Sequence, residues 1–163
     1  MPLIASDRYT GNQGDSFVSK IFSRGTEAVD GNSYSHGLEL WIARWNYEDE
    51  LSWAYSIYEL GGKYNSLSGK GILIRSYNNT NFDTTLEFYG DGRLLKSYHM
   101  TPDSFSFDIS LNVGGVNELK VYAYDNRAVS GGTSFGLADM ILSDDLSDKP
   151  EENAQSDAEK AHR

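Results

Sequence analysis

The chain has 163 residues, 13% of them aromatic, with no cysteine and a formal net charge of −10. That length makes one domain, which can bury about two thirds of its unfolded surface without a disulfide or metal staple, and thiol chemistry is excluded. The acidic balance disfavours nucleic acid and an anionic membrane surface, since both call for clustered Lys and Arg, and no run of about 18 apolar residues marks a membrane span.

Residues 1–14 are polar and contain glycine, and little order is expected of them. The beginning, Met1 to Asp7, lacks the basic end and apolar run of a secretory leader. Two readings follow: a cytoplasmic protein, or a module cut from a longer extracellular or cell-surface chain. In "SFVSKIFS" the apolar residues Phe17, Val18, Ile21 and Phe22 fit either a short strand or a helical turn. "GNSYSHG", 31–37, reads as a loop. "LELWIARW", 38–45, alternates as a strand, and the acidic "NYEDE", 46–50, follows as a loop. "SWAYSIYEL", 52–60, is a second strand, with Trp53, Tyr55 and Ile57 on one face and Ala54, Ser56 and Tyr58 on the other.

Farther on, "YNSLSGKGILIRSY" holds the buried-type run Ile72-Leu73-Ile74, and "NNTNFD", 78–83, is a polar loop. "LEFYGDGRLLKSY", 86–98, reads as a β-hairpin closed at Gly90-Asp91-Gly92, where positive φ is required. "SFSFDISLNV", 104–113, sends Phe105, Phe107, Ile109 and Leu111 inward. "NELKVYAYD", 117–125, sets Leu119, Val121 and Ala123 on one face. A loop is expected over 126–134 and a last strand over 135–143.

Eight or nine strands spaced about ten residues apart, without a helix, predict an all-β, two-sheet antiparallel sandwich of jelly-roll type. Its expected extent is 15–143, with no internal repeat. Residues 144–163 carry seven acids, three Lys or Arg and no aromatic residue. They predict an acidic tail, disordered or helical, with too little apolar surface to bury.

Catalytic patterns are missing. His36, His99 and His162 do not fall at metal-ligand spacing, no HExxH is present, and no GxSxG elbow, P-loop or GxGxxG follows a strand. Glu48, Asp49 and Glu50 cluster in one loop, where a glycosidase would need paired carboxylates, but a solvated acidic loop is the favoured reading. Asn78-Asn79-Thr80 matches the N-glycosylation pattern and also reads as a polar turn. Asp125 and Asp139 offer hard oxygen ligands for a structural calcium, though their spacing does not demand one. No cofactor is expected.

The loops after the strands are aromatic and amide-rich: Trp45-Asn46-Tyr47, Tyr77 through Phe82, and Asp125-Asn126-Arg127. A sugar offers an apolar C–H face that a ring can cover and hydroxyls that Asn, Asp, Arg or His can bond. The same Asn and Asp residues are also good turn formers.

The segments "SYSHGLEL", "YELGGKYNSLSG", "LEFYGDGRLLKS", "VNELKVYAYD" and "FGLADMIL" follow one another in the order seen in the NPCBM family of carbohydrate-binding modules. The resemblance spans about Tyr34 to Leu142, with His36-Gly37, Leu60 to Tyr64 and Ala138-Asp139 matching its motifs. It implies a β-sandwich that binds a glycan and performs no reaction. With it, the candidate sugar contacts are Trp45, Tyr47 and Tyr77 for stacking, and His36, Asn78, Asn126 and Arg127 for hydroxyls. The expected partner is a glycan, with no nucleic acid and no membrane insertion. The competing expectation is a protein-interaction or self-association module, because exposed aromatic residues also mark protein interfaces.

Overall fold

The computed structural model describes residues 10–12, 17–21, 26–28, 30–44, 53–74, 83–103, 106–126 and 131–144. They form twelve strands: β1 (Thr10–Asn12), β2 (Phe17–Ile21), β3 (Thr26–Glu27), β4 (Ser33–Tyr34), β5 (Gly37–Arg44), β6 (Trp53–Glu59), β7 (Ser66–Leu73), β8 (Thr84–Gly90), β9 (Arg93–Met100), β10 (Ser106–Asn112), β11 (Glu118–Asp125) and β12 (Gly131–Ser143). Among the described residues there is no helix, and hence none long and apolar enough to cross a membrane.

Two five-stranded antiparallel sheets make the sandwich. The front sheet has the order β1-β6-β11-β8-β9 and the back sheet β10-β7-β12-β5-β2. Most consecutive strands change sheet, and among the described residues the one tight hairpin between main strands is β8–β9. Its turn is Asp91-Gly92, with φ of 49° and 83°. Two positive φ values in a two-residue loop match the right-handed twist of the flanking strands. Gly90 itself is a strand residue. It is glycine for space, since a Cβ there would stand 2.8 Å from Val116.

Period-two burial builds the core. From the front sheet come Ala54, Tyr58, Leu86, Phe88, Leu119, Val121 and Ala123, and from the back Leu38, Leu40, Leu67, Leu73, Ile109, Leu111, Phe135 and Leu137. A smaller cluster of Ala28, Ile72, Ile74 and Ala138, with Tyr34 against it, lies beneath the β3–β4 hairpin. That hairpin therefore packs on the outer side of the back sheet.

Several expectations are corrected. Thr10–Asn12, in the stretch expected to lack order, pairs with β6 as an edge strand. Of the two readings of "SFVSKIFS", the strand is the one found, as β2. The supposed loop 31–37 contains β4, and the last strand begins at Gly131, inside the supposed loop 126–134. Gly69 sits within β7 and is a packing glycine: a Cβ there would approach the Ala138 carbonyl to 2.9 Å and collide with the Met140 thioether. Gly71 is likewise a packing glycine: the Phe107 ring lies over it, and Tyr98 stacks on Phe107 with centroids 5.1 Å apart.

β12 contains a bulge between Ala138 and Ile141, at which Asp139 takes a φ of 52°. Before it, Phe135 and Leu137 point inward. After it, Met140 and Leu142 do. The extra residue switches the parity of the strand so that both halves bury their apolar residues.

Candidate functional site

The outer surface of the front sheet is the aromatic one. Tyr58 and the small residues Ala54 and Ser56 of β6 are buried, which sends Trp53, Tyr55 and Ile57 outward. β11 buries Leu119, Val121 and Ala123, which sends Lys120, Tyr122 and Tyr124 outward. The register then lines these side chains up in rows. Trp53 pairs with Tyr124, Tyr124 with Thr85, and Thr85 with His99. In the next row Tyr55 pairs with Tyr122, Tyr122 with Glu87, and Glu87 with Ser97.

The rings touch. Trp53 and Tyr55 are parallel with centroids 6.0 Å apart, Tyr122 and Tyr124 are 5.3 Å apart, and Tyr55 and Tyr122 are 6.5 Å apart. The Lys120 ammonium lies 4.5 Å from the Tyr55 centroid and 5.0 Å from that of Tyr122, a cation–π arrangement. The Tyr89 hydroxyl donates to Glu87 Oε1 at 2.9 Å. Burial, and then that carboxylate, push the Tyr89 phenol up to about 12. Tyr122 is raised by the same two causes.

Where the first row meets the end of the sandwich, polar groups converge. His99 Nε2 contacts Asp83 Oδ1. The Asn126 side-chain amide donates to Asp83 Oδ1 and to Thr85 Oγ1, both at 2.9 Å, and the Asn126 backbone N–H donates to the Asp83 carbonyl at 2.8 Å. Beneath them Thr84 Oγ1 donates to Asp125 Oδ1 at 3.1 Å, and Asp125 is 1% exposed. The His99 side chain is 53% exposed and that of Asp83 26%. The cluster is thus anchored at its base and open to solvent at its tip.

Of the residues the sequence singled out, Asn126 is in this cluster. Trp45, Tyr47, Tyr77, Asn78 and Arg127 lie outside the described residues, as do Glu48, Asp49 and Glu50. Their connections join Arg44 to Trp53, Ile74 to Asp83, and Asn126 to Gly131, strand ends that all belong to the rim carrying the cluster. His36 does not join it. It precedes β5 at its far end, next to Asp139, whose N–H donates to the His36 carbonyl at 2.9 Å. The eight residues of β5 separate it from the Arg44 end, about 26 Å. Asp125 and Asp139 are also apart, in different sheets. Among the described residues no group of three or more His, Asp or Glu could hold a metal ion.

Sequence reasoning missed His99, Asp83, Thr85 and Tyr124. The signal was faint, because His99 is a single imidazole in a strand that shows little alternation.

A two-sheet antiparallel sandwich with this layering has the fold of the carbohydrate-binding modules. The chain is similar to CBM51 from a Clostridium perfringens GH95 protein, solved in complex with methyl-galactose. The TM-score is 0.56 at 16% identity, over 85% of this chain and 90% of that one. It is similar also to CBM51-2 with INT domains from Clostridium perfringens ZmpB, with a TM-score of 0.56 at 14% identity, over 83% of this chain and 29% of that one. A third likeness is to the tandem CBM51 modules of Sp3GH98 from Streptococcus pneumoniae, with a TM-score of 0.50 at 11% identity, over 85% of this chain and 43% of that one. This chain therefore spans less than half of the ZmpB and Sp3GH98 chains. No protein-family model and no curated protein matches the sequence.

Proposed function

We propose that the chain is a non-catalytic module that binds a glycan at the rim of the front sheet, in the manner the NPCBM resemblance implies. The observation that carries this reading is one row of side chains. Trp53 and Tyr124 offer apolar ring surface, and Thr85, His99, Asp83 and Asn126 offer donors and acceptors beside it. A pyranose needs both, and it needs them held still, because an ordered cluster spares the entropy of arranging donors at the moment of binding. The Asn126 amide and Asp83 carboxylate are already fixed by hydrogen bonds within the protein. The likeness in fold to solved carbohydrate-binding modules supports the reading further. Tyr77, Asn78, Trp45, Tyr47 and Arg127 adjoin the same rim in the sequence and belong to the proposal as loop contacts. The reading invokes no reaction, metal or cofactor.

A glycan array followed by calorimetry tests it. Saturable binding of one sugar class is expected, weakened roughly tenfold or more in His99→Ala and Asn126→Ala variants. Unchanged melting temperatures would assign that loss to the site and not to the fold. Absence of binding to any glycan, with a stable dimer in solution, would replace the proposal with a self-association module.

A further inference from the structure

We infer that the ligand surface extends from the rim down the outer face of the front sheet, and that its occupant is a short, linear, uncharged oligosaccharide lying along β6 and β11. This rests on the glycan reading above and specifies the class of ligand. The outer face is divided lengthwise. One strip, on β6 and β11, is made of Trp53, Tyr55, Tyr122 and Tyr124. The adjoining strip, on β8 and β9, carries Thr85, Glu87, Tyr89, Ser97 and His99, which can all hydrogen-bond. An extended glycan has the same division, with ring faces on one side and hydroxyls along its edge.

Length and charge select this occupant. From the Trp53 row to the Ile57 row is four strand residues, about 13 Å, longer than one sugar ring. The face continues the rim cluster without a break, since Thr85 pairs with Tyr124 on one side and with His99 on the other. Its two central charges, Lys120 and Glu87, cancel, although the chain as a whole carries −10. Beyond Ile57 the same face ends in the acidic pair Glu59 and Glu118, so an anionic glycan gains nothing there. On the far flank the residue opposite Tyr55 is Gly11 of β1, which raises no side chain beside the rings.

The test uses β-1,4-linked glucose, galactose, mannose and N-acetylglucosamine ladders, one to four residues long, titrated by calorimetry against the full chain. In one ladder the affinity should rise roughly tenfold or more from the monosaccharide to the trisaccharide. Tyr55→Thr with Tyr122→Thr should return the trisaccharide to the monosaccharide level, threonine being chosen because it suits a strand. Should that variant fail to fold, amide shifts in the wild-type protein give a second readout: β6 and β11 should respond to the trisaccharide and not to the monosaccharide. Equal affinity at every length, abolished by Asn126→Ala but untouched in the tyrosine variant, overturns this inference and leaves the rim site standing. Failure of every ladder to bind overturns this inference; failure of the whole glycan array as well, together with a change of oligomeric state in the tyrosine variant, overturns both and gives the face to a second copy of the chain.

Discussion

The Asp91 carboxylate accepts the backbone N–H of Glu118 at 2.9 Å and that of Asn117 at 3.1 Å, while the Asp91 N–H donates to the Glu118 carbonyl at 2.9 Å. A hairpin turn is thereby tied to the start of a strand 27 residues later in the chain. The turn between β8 and β9 thus locks β11 beside β8, and β11 carries Tyr122 and Tyr124.

Asp91→Ala should therefore cost about 1–3 kcal/mol, from two lost bonds to a carboxylate and a left-handed φ imposed on alanine. Asp91→Asn should cost less, because asparagine tolerates that φ and keeps one acceptor. Urea denaturation of both variants measures the order; an alanine variant as stable as the parent contradicts the tie.

Gly69→Ala should be among the most damaging small changes, at about 1–3 kcal/mol or more, because the Ala138 carbonyl and the Met140 thioether fill the space. Adding Met140→Ala should recover part of the loss by removing the sulfur. Additive costs in the double variant would show that the two sites do not share that space.

At the β12 bulge, Asp139→Gly should be neutral or slightly stabilising, since glycine accepts the φ of 52° freely. Asp139→Val should cost about 1–3 kcal/mol. Deleting Asp139 should be worse than either, because Met140 and Leu142 would turn to the outer face. Thermal melts of the three variants should rank in that order; a deletion variant melting with the parent would mean that the bulge carries no parity.

Stability should fall on the alkaline side. Burial pushes the Tyr58 and Tyr98 phenols up to about 12, and burial together with Glu87 does the same for Tyr89. Their unfolded values lie near 10. The fold favours the neutral phenols, so this contribution is complete below pH 10 and is lost as the pH rises from 10 towards 12. Phenolate absorbance near 295 nm should rise later in the native protein than in guanidinium. Superimposable curves would refute the shift.

Much of the frame was legible because burial in an antiparallel strand repeats every two residues. Ile109 and Leu111 against Ser106, Asp108 and Ser110, or Leu119, Val121 and Ala123 against their neighbours, leave one arrangement. The β8–β9 turn was legible from Gly90-Asp91-Gly92. What hid His99 was a bulge. The turn pairs Gly90 with Arg93, and an unbroken register would place Thr85 opposite Tyr98. The shift between Phe88 and Tyr89 places it opposite His99 instead. Both this bulge and the one in β12 leave a trace, an apolar spacing of three: Leu95 to Tyr98, and Leu137 to Met140.

By itself the sequence determined the class of fold, the hairpin, most strands and the two faces of each, since alternation is a local property of the chain. Tertiary structure alone decided which face of Trp53 to Glu59 looks outward, since that depends on what the opposing sheet can accommodate. It also decided that Trp53, Tyr124, Thr85 and His99 share a row and that His36 lies elsewhere. These are matters of register between strands distant in sequence, set by cross-strand hydrogen bonds and by bulges that count residues in pairs.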